Sequence, residues 1–135
     1  MIEIYKFQDE IGRIPFDEWI SGVRDKRAEK RIQIRIDRLA LGLEGDWKPV
    51  GKGIRELRIS EGKGYRVYYA WDGDKLVILL CGGDKSSQSK DIEKAKLYWR
   101  KYHEHQTWGS SVQTGRLPQN DGRHYRVSQR GYRRR

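Results

Sequence analysis

The sequence predicts one α+β domain followed by a basic extension, and three observations carry that prediction. Residues 54–81 divide into three strand-like runs joined by glycine-rich turns. Residues 24–42 repeat apolar side chains at helical spacing. The 135-residue chain is long enough for one such domain and too short for two ordinary ones.

The elements follow in order. Ile2, Ile4 and Phe7 punctuate residues 1–7 in a near-alternating pattern that predicts a first strand, ended by Gly12. Pro15, with Asp17 and Glu18 after it, suits a helix N-terminus, because proline fits the first turn and acids complement the exposed N–H groups. Phe16, Trp19, Ile20 and Val23 form the apolar stripe of that short helix. A second helix over 24–42 carries Ala28, Ile32, Ile36, Leu39 and Leu43 on one face. Arg24, Arg27, Arg31, Arg35 and Arg38 run beside that stripe. They form either a ridge for a polyanion or a solvated face with Glu29 and Asp37 as local partners.

Five glycines and prolines make residues 42–53 a predicted loop. Ile54–Ser60 then alternates, with Leu57 and Ile59 on one face and Glu56 and Arg58 on the other. Glycines at 62 and 64 supply a hairpin. In Tyr65–Trp71, residues Tyr65, Val67, Tyr69 and Trp71 share one face, leaving Arg66, Tyr68 and Ala70 on the other. A register that keeps the apolar faces together therefore gathers Arg58, Arg66 and Tyr68. Leu76–Cys81 is apolar at every position, as expected of a central strand covered on both sides. Gly82 and Gly83 end it, and Ser86 or Ser87 is placed to cap a last helix reaching about residue 104. From Gln106 onward, polar residues, four glycines and no apolar periodicity predict disorder.

Charge narrows the function. The net charge is +10, but residues 106–135 hold seven arginines against one acid, which leaves +4 for residues 1–105. An acidic partner such as nucleic acid is indicated, and in the folded part the indication rests on placement more than on net charge. Arg133–Arg135 either add non-specific RNA affinity or form a dispensable end. The single cysteine, Cys81, excludes an internal disulfide and fits a reducing compartment. No leader pattern and no long apolar run is present, so a soluble cytoplasmic protein without membrane contact is expected.

Most other motifs carry little. His103 and His105 lack the spacing that puts two imidazoles on one helical face, and no metal or cofactor is expected. Gly82-Gly83-Asp84-Lys85 lacks the spacing of a phosphate-binding P-loop, although its glycines would let main chain approach a ligand closely. Cys81 closes an apolar strand and reads as an inert buried thiol. Arg66 has the strongest case: a mid-strand arginine pairs with Glu56 or offers its fork of donors to a phosphate. With Arg55, Arg58 and Lys85 it forms the predicted anion-binding group.

The string GIRELRI, GYRVYYA, VILLCGGDKSSQ and KDI resembles the RelE/ParE superfamily of toxin–antitoxin toxins, and more narrowly the HigB-like addiction module killer proteins. The resemblance covers roughly residues 2–104, so residues 1–105 read as the toxin domain and 106–135 as a tail outside it. It implies a strand, two helices, an antiparallel sheet of three further strands and a C-terminal helix. It also implies a cognate antitoxin as partner, the ribosome and mRNA as targets, and metal-independent cleavage in which the RNA's 2′-hydroxyl attacks the neighbouring phosphate. On that reading Arg66 and Lys85 stabilise charge, with Arg58, Tyr68 and Asp91 completing the catalytic set. Arg55, Lys52, Lys63, Gln88, Lys90 and Lys94 would contact RNA. Two departures stand out: no tyrosine opens the last helix, where Gln88 and Asp91 stand instead, and Glu56 occupies a position where lysine is common. The same fold also serves inhibitors of DNA gyrase that perform no chemistry, and a non-toxic binding module is a third reading.

Overall fold

In a computed structural model that describes residues 2–107, 114–116 and 125–128, the chain begins with strand β1, Glu3–Phe7. Helix α1, Pro15–Ser21, follows with proline in its first turn and Asp17 and Glu18 beside it. Helix α2, Lys26–Ala40, is capped by the Asp25 carboxylate, which accepts the Ala28 amide at 3.1 Å. Ala28, Ile32, Ile36 and Leu39 are fully buried, but the helix ends before Leu43, which is exposed.

Four strands then form an antiparallel meander: β2 (Trp47–Gly51), β3 (Ile54–Ile59), β4 (Tyr65–Trp71) and β5 (Leu76–Asp84). Strand β2 lies within the segment predicted as a loop. Pro49 and Gly51 hide it in the sequence, and its place at a sheet edge explains why the sheet tolerates them. Lys52 adopts φ 59° in the turn between β2 and β3.

A 3₁₀ turn, Lys85–Ser87, leads into helix α3, Gln88–Thr107. Asp84 caps that turn, accepting the Ser86 amide at 2.8 Å, two residues before the first of the serines predicted to cap the helix. Beyond α3 the backbone forms β6 (Thr114–Arg116) and β7 (Tyr125–Ser128), where the sequence predicts disorder. Arg133–Arg135 lie outside the described residues.

The sheet order is β2-β3-β4-β5-β1-β7-β6, with β1 parallel to both of its neighbours. Each face of the sheet has its own core. Helices α1 and α2 cover Ile4, Leu57, Ile59, Val67, Tyr69, Val77 and Leu79, while α3 covers Phe7, Tyr68, Ala70, Ile78 and Leu80 through Ala95 and Tyr102. This two-sided cover explains why Val77–Leu80 is apolar throughout. The α+β class and element order agree with the sequence, with more strands than it shows. Among the described residues, no helix is long and apolar enough to cross a membrane.

Candidate functional site

Alternation fixes the site first. In the β3–β4 register Arg58 stands opposite Arg66, and Glu56 opposite Tyr68. All four lie on the face that α3 covers, where the start of α3 reaches them through Gln88. Lys85 arrives by a different route: its Cβ and the Arg66 guanidinium both flank Gly64 in the hairpin turn. Lys63 occupies the same exposed turn, close enough to help hold the Asp84 carboxyl below its usual range. There the Ser86 hydroxyl contributes most, against burial. Arg66, Lys85 and Lys63 therefore meet at one end of the sheet.

Arg66 is held on two sides. Its Nη1 donates to the Gly64 carbonyl at 2.7 Å, and its Nε lies 3.6 Å from Glu56 Oε2. No partner satisfies Nη2 among the described residues. Arg58 sits at the rim, with its Nε 3.7 Å from Asp46 and its side chain more than a third exposed.

Glu56, which the sequence offers both as a pairing partner for Arg66 and as a departure from the family's pattern, is the centre of the cluster. It is fully buried, and its Oε2 accepts the Tyr68 hydroxyl at 3.0 Å and Gln88 Nε2 at 2.8 Å. This corrects two roles. Tyr68 is fully buried and its hydroxyl faces Glu56, so it has no route to exchange a proton with RNA. Burial, followed by the Glu56 charge, pushes that hydroxyl well above the normal tyrosine range. The Gln88 amide, expected to touch RNA, is occupied by the same carboxylate. The cue in the sequence was an acid amid alternating apolar residues on a strand, since such a group is buried only with partners.

Arg55 requires the clearest correction. One residue from Glu56, it points to the opposite face of the sheet. There both Glu44 carboxylate oxygens accept its Nη1 at 2.8 and 2.7 Å, and its guanidinium lies 4.1 Å from the Trp47 ring centre. Lys52 is exposed at the far end of β3 from Lys63, about 20 Å away for a six-residue strand. The arginine ridge divides as well: Arg35 donates to the carbonyls of Arg58, Glu44 and Asp46, clamping the β2 approach, while Arg24, Arg27 and Arg38 are exposed.

Asp91 lies nearly buried at the start of α3, where the Ser87 hydroxyl donates to its Oδ2 at 2.5 Å. Burial raises its carboxyl above the usual aspartate range, while Ser87 and Lys94 oppose the shift. It borders a cleft of about 370 Å³ between α1, the end of β5 and α3, with Lys94 on the same wall. Lys90 is exposed on the first turn of α3 and acts on Asp91 only through its charge.

Gly82 and Gly83 prove to be packing residues. A Cβ at Gly82 would overlap the Trp19 indole, and one at Gly83 would overlap the Asp91 carboxylate. Their bareness admits these two side chains, where the sequence suggested a ligand. Cys81 is buried beside them, and burial pushes its thiol up to about 12, which keeps it inert.

A family model for phage-derived Gp49-like proteins (DUF891) matches residues 18–99, which include every residue of this cluster. The chain belongs to the Gp49-like family. This family is RelE-like and associated with toxin–antitoxin modules. A relative in Haemophilus influenzae (strain Rd), named only "Uncharacterized protein", is 56% identical over 84 residues, covering 62% of this chain and 85% of its own length. For this Gp49-like chain, a toxin–antitoxin setting and an antitoxin partner follow at the level of the family.

Proposed function

We propose that this Gp49-like chain is the toxin of its pair, acting in the cytoplasm as a ribosome-dependent mRNA endoribonuclease of the HigB-like kind. The observation that carries the reading is Arg66, hydrogen-bonded to the Gly64 carbonyl and in ion-pair contact with Glu56 with Nη2 unengaged, beside the exposed Lys85 and Lys63. In the reaction the RNA's 2′-oxygen attacks the adjacent phosphorus and loses its proton. The bond to the 5′-oxygen breaks, that oxygen gains a proton, and a 2′,3′-cyclic phosphate remains. Charge peaks on the phosphorane oxygens, where a prepositioned guanidinium contributes most. Arg66 takes that role, with Lys85 and Arg58 adding positive charge around it. Lys63, Lys90 and Lys94 supply the approach for the RNA backbone. Asp91, whose carboxyl keeps its proton to higher pH than an ordinary aspartate, is the proton carrier of the set.

A second reading, inhibition of DNA gyrase without chemistry, draws support from one observation. Tyr68 and Gln88 are committed to Glu56, which leaves few proton-transferring groups near Arg66. Primer-extension mapping of mRNA after induced expression separates the two. Wild type is expected to produce discrete cuts and Arg66→Ala none, while Arg66→Ala keeps its fold and antitoxin binding. Growth arrest with a DNA-damage response and intact mRNA would replace the nuclease reading with the gyrase one.

A further inference from the structure

We infer that Glu56 is the positioning residue of this site, that it sets the plane of the Arg66 guanidinium, and that Tyr68 and Gln88 serve the site by holding Glu56. The inference rests on reading Arg66 as the phosphate-binding group.

Its basis is an unclosed contact. Glu56 is wholly buried, and a buried carboxylate is costly unless donors surround it. Two donors reach Oε2, yet Oε1 has no hydrogen-bond partner, and the buried Nε of Arg66 has none either. These two groups belong to residues in ion-pair contact, with Nε 3.6 Å from Oε2. A contact serving stability alone would gain by closing, or by replacement with apolar side chains of similar volume. Here the chain keeps a buried charge pair whose 3.6 Å separation lies just beyond hydrogen-bond range.

The geometry assigns each partner a task. The Gly64 carbonyl pins Nη1, Glu56 faces Nε, and Nη2 has no partner among the described residues. Tyr68 from β4 and Gln88 from α3 approach the same carboxylate oxygen, so Glu56 is braced by two elements and cannot turn away. A phosphate oxygen bound at Nη2 draws the guanidinium into line, and Nε–H closes onto Glu56. Unbound catalytic sites commonly hold such contacts long and tighten them on binding substrate. Glu56 thus orients Arg66 while its negative charge weakens simple anion attraction. Orientation and affinity are therefore expected to move in opposite directions when the charge is removed.

Glu56→Gln tests this, with steady-state, multiple-turnover cleavage of mRNA on programmed ribosomes by the purified full-length protein. The expected result is a kcat lowered ten- to a hundredfold with KM unchanged or lower, since a misplaced group loses rate without losing affinity. A structural role alone would lower the amount of folded protein and leave the kcat of the folded fraction intact. Gln88→Ala, at the edge of the cluster, should show the same split more weakly and guards against misfolding of Glu56→Gln. The second readout is the Arg66 Nε–H resonance in NMR spectra titrated with inorganic phosphate. In wild type this resonance should sharpen and shift as phosphate binds, and in Glu56→Gln it should exchange too fast to see. If wild type cleaves and Glu56→Gln matches its kcat, the inference fails while the nuclease reading stands. If wild type cuts no RNA, the nuclease reading fails, and the NMR titration decides Glu56 alone: an Arg66 resonance indifferent to the substitution overturns it.

Discussion

Replacing Gly82 with alanine puts a methyl group where the Trp19 indole already lies. The added carbon would come within 2.5 Å of Trp19 Cδ2, with two more ring carbons nearer still. Ordinary contact between carbons begins near 3.5 Å, so the indole must retreat by about 1 Å or more. Trp19 has little room to do so, because it packs against Phe16 and Tyr65 at ring-centre separations of 5.7 and 6.5 Å. Overpacking of this kind costs ~1–3 kcal/mol. The backbone adds no strain, since Gly82 is not among the positive-φ glycines, and the stiffer unfolded chain returns ~0.4–1 kcal/mol. A net loss of ~1–2 kcal/mol follows, which lowers the melting midpoint by roughly 4–9 °C in a domain of this size. Urea unfolding followed by tryptophan emission measures both the loss and the displaced indole. In a Trp19→Leu background the same glycine substitution should cost little or nothing. A Gly82→Ala protein as stable as wild type, or one whose penalty persists without Trp19, would refute the packing role.

Two further predictions concern carboxylates on opposite faces of the sheet. Glu44 accepts from Arg55, Tyr69 and Trp71; burial opposes its ionisation, but those donors outweigh it and its carboxyl sits below the usual range. Glu44→Gln should cost ~1–3 kcal/mol at neutral pH, as expected for lost hydrogen bonds to a charged group. Because the folded value is depressed, wild type loses this contribution as pH falls through it, and denaturant melts should show the two proteins converging in acid. Asp91 is the reverse case. Its raised carboxyl makes the folded state hold a proton that the unfolded chain releases, so stability falls as pH rises from the ordinary aspartate value of 3.8 through the folded one. Asp91→Asn removes that dependence and should gain on wild type across the same window, while losing cleavage if Asp91 carries the proton. A gap that stays constant with pH would contradict the burial argument.

Much of the site was legible because strand alternation is a local rule. It placed Arg58 and Arg66 on one face, and the β3–β4 register sets them opposite each other. The same rule places Arg55 with Leu57 on the other face, away from Arg66. Strand β2 was harder to see. An exposed edge strand needs no apolar alternation, and Pro49 and Gly51 carry the marks of a loop. Glycine was ambiguous for a related reason: a missing side chain accommodates a ligand or a neighbour equally well, and only the packing names Trp19 and Asp91 as the neighbours.

By itself the sequence determined the order of the three helices and of four strands, the apolar faces that build two cores, and the sheet face that Arg58 and Arg66 share. Each of these depends on residues a few positions apart, where periodicity and turn chemistry act. Only the tertiary structure decided what Arg66 works with. Glu56, Tyr68 and Gln88 come from β3, β4 and α3, and their meeting depends on where the start of α3 docks against the sheet. Burial there turns a tyrosine hydroxyl and a glutamine amide from candidates for touching RNA into supports for a carboxylate. No spacing along the chain records that change, because desolvation is a property of the packed whole.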